Sequence, residues 1–150
     1  MARDPARTYR EAAVRGATPI GLIVILYEEV IRSIRGAQRG LRENNIEQKT
    51  NSLTHALSVI GHLQVTLNFK DGGDIATNLS HFYNLSRARI LEASLALNDE
   101  LLESIVADFH AIARAWQQAD QAIGHSNAGP DDVSRVAQSV ETVAAIHGPR

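Results

Sequence analysis

Six histidines are the residues best equipped for chemistry in this 150-residue chain. An imidazole can bind a divalent metal or carry a proton near neutral pH. His55 and His62 stand seven residues apart, and His81 and His110 follow in later segments. No two form the i, i+4 pair that sets two ring nitrogens on one helix face, and the Glu-x-x-His motif of a di-iron bundle does not occur. They read as scattered surface or boundary histidines. Glu28-Glu29 has no carboxylate partners with an obvious shared site. Asp71-Gly72-Gly73-Asp74 lacks both the Gly-Lys-Ser/Thr of a phosphate loop and the ligand spacing of a calcium loop, so it reads as an interhelical turn. Asn78-Leu79-Ser80 and Asn84-Leu85-Ser86 match the glycosylation triplet inside a helical pattern and are chance matches. Cysteine is absent, which removes disulfides, thiolate metal sites and thiol catalysis. No nucleophile, base and orienting group can be assembled. The expectation is a chain with no catalytic residue, no metal site and no cofactor, and not an enzyme.

Arginine does carry a pattern. Arg32, Arg35, Arg39 and Arg42 fall at i, i+3, i+7 and i+10, and Arg3, Arg7 and Arg10 repeat the device at the N-terminus. Aromatic residues do not interleave with them, and the formal net charge is -2. A solvated helix face explains the stripe better than nucleic-acid binding, and no anionic membrane surface is implied.

The elements that must position these side chains are helices. All four prolines (Pro5, Pro19, Pro130 and Pro149) lie near the ends, leaving the stretch between Pro19 and Pro130 free of forced breaks. Thr18-Pro19 reads as an N-cap followed by proline in the first turn. Ile20, Tyr27, Ile34 and Leu41 then recur every seven residues, with Ile23, Val30 and Ala37 between them. Asn44-Asn45 ends this helix and caps the next, whose stripe is Ile46, Leu53, Ile60 and Leu67 with Ala56 and Leu63. The Asp71–Asp74 turn precedes a third helix with Ile75, Leu79, Phe82, Ile90, Ala93 and Leu97 on one face. Asn98-Asp99 separates it from a fourth, carrying Leu102, Ile105, Phe109, Ile112, Trp116, Ala119 and Ile123.

Short connections between helices of similar length predict an all-α, antiparallel up-down four-helix bundle over 18–124. Residues 1–17 form an N-terminal arm. Residues 125–130 have linker composition, and 131–146 recover helical spacing through Val133, Val136, Ala137, Val140, Val143 and Ala144, giving either a short fifth helix or a tail. The longest apolar run, Leu22 to Tyr27, is far too short to span a bilayer, and the arm lacks a signal-type apolar stretch, so the expected location is the cytosol.

Some apolar residues are surplus to one stripe per helix. Leu22 and Ile25 on the first helix, Val59 and Val65 on the second, and Leu91 and Leu95 on the third point away from the core, with Tyr83 at the flank; Val106 is the main surplus on the fourth. Apolar surface outside a bundle core suggests a groove for a partner helix or a homodimer face.

Taken in order, Tyr9, Ala17-Thr18-Pro19, Leu22 to Glu28, Leu67-Asn68-Phe69, Gly72-Gly73-Asp74-Ile75-Ala76, Asn78-Leu79, Phe82-Tyr83, Leu91-Glu92-Ala93 and Ala115-Trp116 resemble the flagellin-specific export chaperones of bacterial flagella, the FliS family. The resemblance covers Tyr9 to about Ala119. It implies a helical bundle that binds the C-terminal segment of newly made flagellin, blocks premature polymerisation and keeps the subunit ready for the flagellar export gate. It further implies that Tyr9, on the N-terminal arm, covers part of the binding surface. The groove expected on this basis comprises Leu22, Ile25, Val59, Val65, Phe69, Ile75, Leu79, Phe82, Tyr83, Leu91 and Leu95. Further partners of this kind would be the export apparatus or flagellin regulators, the chain itself being a monomer or weak homodimer. The alternative is a helical adaptor, or a homodimerising bundle, for another helical partner. Two features depart from the family pattern: Ile20-Gly21 stands where acidic residues usually follow the cap, and the tail beyond Gly124 is long.

Overall fold

The computed structural model describes Arg7, Glu11, Gly16 and residues 18–67, 69–96 and 98–124, with backbone alone at 69–72 and 122–124. Tyr9, the side chain of Phe69 and the candidate fifth helix at 131–146 lie outside the described residues. Four helices follow in order: α1 Pro19–Arg42, α2 Ile46–Val65, α3 Phe69–Ala96 and α4 Asp99–Gly124. Each packs against its sequence neighbours, and α4 closes back on α1. The chain is the expected all-α up-down bundle.

Polar residues set the helix ends. The Thr18 hydroxyl oxygen accepts the Gly21 amide at 2.9 Å and donates to Asp120 Oδ1 at 2.7 Å. The first turn of α1 carries no acidic residue of its own. Asp120, from the far end of α4, brings a carboxylate to that helix N-terminus through space, where the helix dipole favours it. At the other end, Asn44 adopts a φ of 54°. The Asn45 amide donates to the Gly40 carbonyl at 2.7 Å and the Asn44 amide to that of Leu41 at 3.3 Å, a Schellman closure. Asn45 then caps α2 by accepting the Gln48 amide at 3.0 Å.

This hairpin forces α1 and α2 together. A Cβ on Gly40 would lie 2.7 Å from the Lys49 backbone nitrogen, whereas one on Gly61 would meet nothing nearer than the Arg87 guanidinium at 3.8 Å. Gly40→Ala is therefore expected to destabilise the protein by about 1–3 kcal/mol through overpacking. Gly61→Ala should raise stability by about 0.5–1 kcal/mol through helix propensity. Urea unfolding of the two variants beside the parent checks the opposite signs.

The Asp71-Gly72-Gly73-Asp74 segment turns at Gly73, whose φ of 51° and ψ of -127° interrupt the helix and separate a short first stretch, starting at Phe69, from the main length of α3. That positive φ is readily available only to glycine. The Thr77 hydroxyl donates to the Gly73 carbonyl at 3.3 Å beside the break.

The core is aliphatic with one aromatic knot. Tyr27, Phe82, Tyr83 and Phe109 are all essentially inaccessible to solvent. Phe109 stands edge-on to Tyr27 at 5.1 Å and tilted against Phe82 at 4.9 Å between centroids. Among the described residues the heptad stripes are buried, or partly buried at Ile20, Ile23, Leu41, Leu67 and Ile75, with one exception. Ile46, the first residue of α2, is 74% exposed because it projects past the end of the hydrophobic layer. Val59 and Val106, expected to face outward, are 0% and 1% exposed. Each stands beside a stripe position, Ile60 or Ile105. A globular bundle buries a wider face than a two-position seam.

Candidate binding surface

Tyr27 on α1 and Tyr83 on α3 touch across the bundle diagonal, their hydroxyl oxygens 2.8 Å apart. Tyr83 was expected at a flank and is instead buried here. Burial raises the pKa of both phenols, because a tyrosinate would lose its hydration. The sign of the resulting linkage is fixed. Stability from the neutral phenols is complete below the unfolded pKa of about 10 and falls as pH rises above it. In an alkaline titration, tyrosinate absorbance from Tyr27 and Tyr83 should appear together with loss of the helical circular dichroism signal, and not before it.

Above this pair lies an apolar cleft of about 210 Å³. The start of α1 contributes Ile23, and α2 and its end contribute Leu63, Thr66 and Leu67. Ile75, Ala76, Leu79 and Tyr83 come from α3, and Trp116 from α4. All four helices therefore converge at the end of the bundle where α1 begins and α4 finishes. Val65, 82% exposed, stands beside Thr66 at the same end.

The expected groove residues divide accordingly. Ile75, Leu79 and Tyr83 line the cleft, whereas Val65, two residues and so about 200° round α2 from Leu63, faces away from it. Val59 and Phe82 belong to the core, beneath any surface a partner could reach. Leu22 is buried outside that core cluster, and Ile25 is half-buried. Leu91 and Leu95 are 54% and 87% exposed, but at the opposite end. There the Lys49 ammonium donates to the Ser94 carbonyl at 3.1 Å, fixing the level of both helices and satisfying a carbonyl of the last turn of α3. Ile23, Leu63, Leu67 and Trp116 had been assigned wholly to the core stripe. Periodicity cannot distinguish a filled layer from one that opens at the bundle end.

A second depression, polar and about 670 Å³, runs between α1 and the first half of α2. His55 and Glu29 form its inner wall. The His55 Nε2 lies 3.0 Å from Glu29 Oε1, and Arg32 Nη1 donates to Glu29 Oε2 at 2.6 Å. His55 is thus a boundary histidine and not a surface one: it lines the depression, is 9% exposed and is paired with a carboxylate that is 5% exposed. The basic stripe of α1 is solvated as expected, with Arg35 reaching Glu103 of α4 at 2.5 Å. Arg35 and Gln38 together hold the Glu103 carboxyl below the usual carboxylate range. Among the described residues no group of three or more His, Cys, Asp or Glu is arranged to hold a metal, and no helix is long and apolar enough to cross a membrane.

A family model for flagellar protein FliS matches residues 1–123. The flagellar secretion chaperone FliS of Salmonella typhimurium is 32% identical over 109 residues, covering 72% of this chain and 81% of that protein. Its counterpart in Bacillus subtilis is 28% identical over 79% of this chain and 88% of its own length. The protein of the same name from Vibrio cholerae is 27% identical over 77% and 88%.

Proposed function

The chain belongs to the flagellar protein FliS family, and on that premise we propose that it is a flagellar export chaperone whose client is the C-terminal segment of flagellin. The observation that carries the reading is the apolar cleft at the open end of the bundle, walled by all four helices. A disordered client segment that becomes helical on binding can bury one apolar face there. Held in this way it is withheld from polymerisation and kept unfolded for export. Buried apolar surface supplies the affinity, so no nucleotide, metal or catalytic step enters. The setting is the cytosol, where flagellin is made.

Calorimetric titration with flagellin, and with flagellin lacking its C-terminal segment, tests the proposal. A one-to-one complex is expected with the first and none with the second; equal binding by both would sink it. Thr66→Lys, at an exposed position of the cleft wall, should weaken the complex about tenfold while leaving the unfolding free energy within about 1 kcal/mol of the parent. Ordinary binding by this variant would move the client off the α2 end of the cleft.

A second reading has one observation in its favour. Ile46, Leu91 and Leu95 are each exposed at the end remote from the cleft, apolar side chains that another copy of the chain would cover. Light scattering of the parent and of Leu95→Asp decides it, since a dimer using these side chains becomes monomeric in the variant.

A further inference from the structure

Three hydrogen-bond donors meet at the floor of the cleft: the Trp116 indole N–H and the hydroxyls of Tyr27 and Tyr83. Trp116 and Tyr83 line the cleft, 9% and 1% exposed. Tyr27 is inaccessible to solvent and forms no part of the wall. The two hydroxyl oxygens are 2.8 Å apart, so one phenol donates to the other, and either can be the donor. Trp116 acts on Tyr27 as a donor beside the phenol oxygen, favouring the phenolate. Its geometry there falls short of a full hydrogen bond, and the indole nitrogen has no other partner among the described residues.

The three groups bring one proton each, and an indole N–H cannot accept. Whether or not the indole contact counts as a bond, the three share at most two. At least one donor is therefore left without an acceptor among the described residues, where burial makes an unmet donor costly. What each group can reach decides where that proton sits. Donation by Tyr83 to Tyr27 would strand the Tyr27 proton behind the wall. The order Trp116 to Tyr27 to Tyr83 instead leaves the unmet proton on Tyr83, which lines the cleft. An occupant that carries an acceptor selects this order.

We propose that the cleft is selective for an apolar segment bearing one side-chain acceptor, a serine, threonine, asparagine or glutamine oxygen among aliphatic residues, and that the Tyr83 hydroxyl reads it. The identity of the occupant as a flagellin segment rests on the function proposed above; the chemistry of the floor does not. Backbone carbonyls inside a helix already accept from their own chain, so a helical occupant supplies the acceptor from a side chain. At about 210 Å³ the cleft is smaller than a typical ligand pocket, so one polar atom is a sizeable part of what it holds. An all-aliphatic segment buries the same area and leaves the Tyr83 proton unmet, which disfavours it about fivefold.

Cyclopentanone and cyclopentane test this, rings of one size of which only the ketone accepts a hydrogen bond. The chain's single tryptophan gives one indole N–H resonance, and its shift during a titration reports each probe. Tyr83→Phe should weaken cyclopentanone binding about fivefold and leave cyclopentane binding unchanged. Tyr27→Phe breaks the same phenol pair but keeps the Tyr83 proton, so the ketone should be retained there. Thermal unfolding checks that both variants stay folded, since each loses one bond and no ring. Ketone affinity unchanged in Tyr83→Phe overturns the proposal. So does an equal loss in both variants, which would make the phenol pair a structural tie alone. With the C-terminal segment of flagellin as titrant, the two variants should show the same split. A segment that binds none of these proteins, beside a ketone that still needs Tyr83, would leave the selectivity standing and overturn flagellin as the client.

Discussion

Val59→Asp is expected to abolish the cooperative fold, whereas Val65→Asp, six residues along the same helix, should leave it intact. Val59 is fully buried in the core cluster, and Val65 is 82% exposed at the last position of α2. An aspartate at 59 has two costly options. Ionised, it is an unpaired charge without water; protonated, it is still a polar group among Ala, Leu and Ile side chains. Either outcome exceeds about 4 kcal/mol, a large part of the roughly 5–15 kcal/mol that holds a domain of this size together. Circular dichroism at 222 nm and thermal unfolding separate the two variants directly. A folded Val59→Asp protein with near-parental stability would mean that α2 is rotated from the orientation described here.

The second large effect lies between α3 and α4. Arg89 Nη1 donates to Asp108 Oδ2 at 2.7 Å, with the two side chains 8% and 11% exposed, and the Arg89 guanidinium also reaches the Ser104 hydroxyl. Asp108→Ala removes the carboxylate and leaves the buried Arg89 guanidinium without it. The expected loss is about 3–5 kcal/mol, read as a shift in the urea midpoint at unchanged slope. Replacing both partners, Arg89→Met with Asp108→Leu, should recover most of that loss, because a well-packed apolar pair carries no desolvation penalty. If the double variant is as unstable as Asp108→Ala, the pair does more than neutralise charge, and its hydrogen-bond geometry is what secures α3 to α4.

These two cases mark where the sequence could be read and where it could not. Thr18-Pro19 and Asn44-Asn45 announced their roles because capping is local: donor and acceptor lie within a few residues. The heptads identified four helices and most of the core for the same reason. Val59 and Val106 were misplaced because the burial of a flanking position depends on how its helix is rotated against two neighbours, which a single stripe does not specify. The pairs Glu29–His55, Lys49–Ser94 and Arg89–Asp108 join residues 26, 45 and 19 positions apart. Each residue alone looks like an ordinary surface polar group, and only the packed bundle reveals its partner. The cleft was half legible: Ile75, Leu79 and Tyr83 were singled out for it, while Ile23, Leu63, Leu67 and Trp116 looked like any other core stripe. Leu91 and Leu95 were correctly read as exposed, but they mark a different end of the molecule.

The bonded hydroxyls of Tyr27 and Tyr83 tie together two opposite helices directly beneath the cleft. On the function proposed above, a client lies on the bundle while these two helices stay joined, so its arrival and departure require no opening of the scaffold. The same molecule is then expected to take successive clients without refolding between them, which repeated loading and release at an unchanged circular dichroism signal checks.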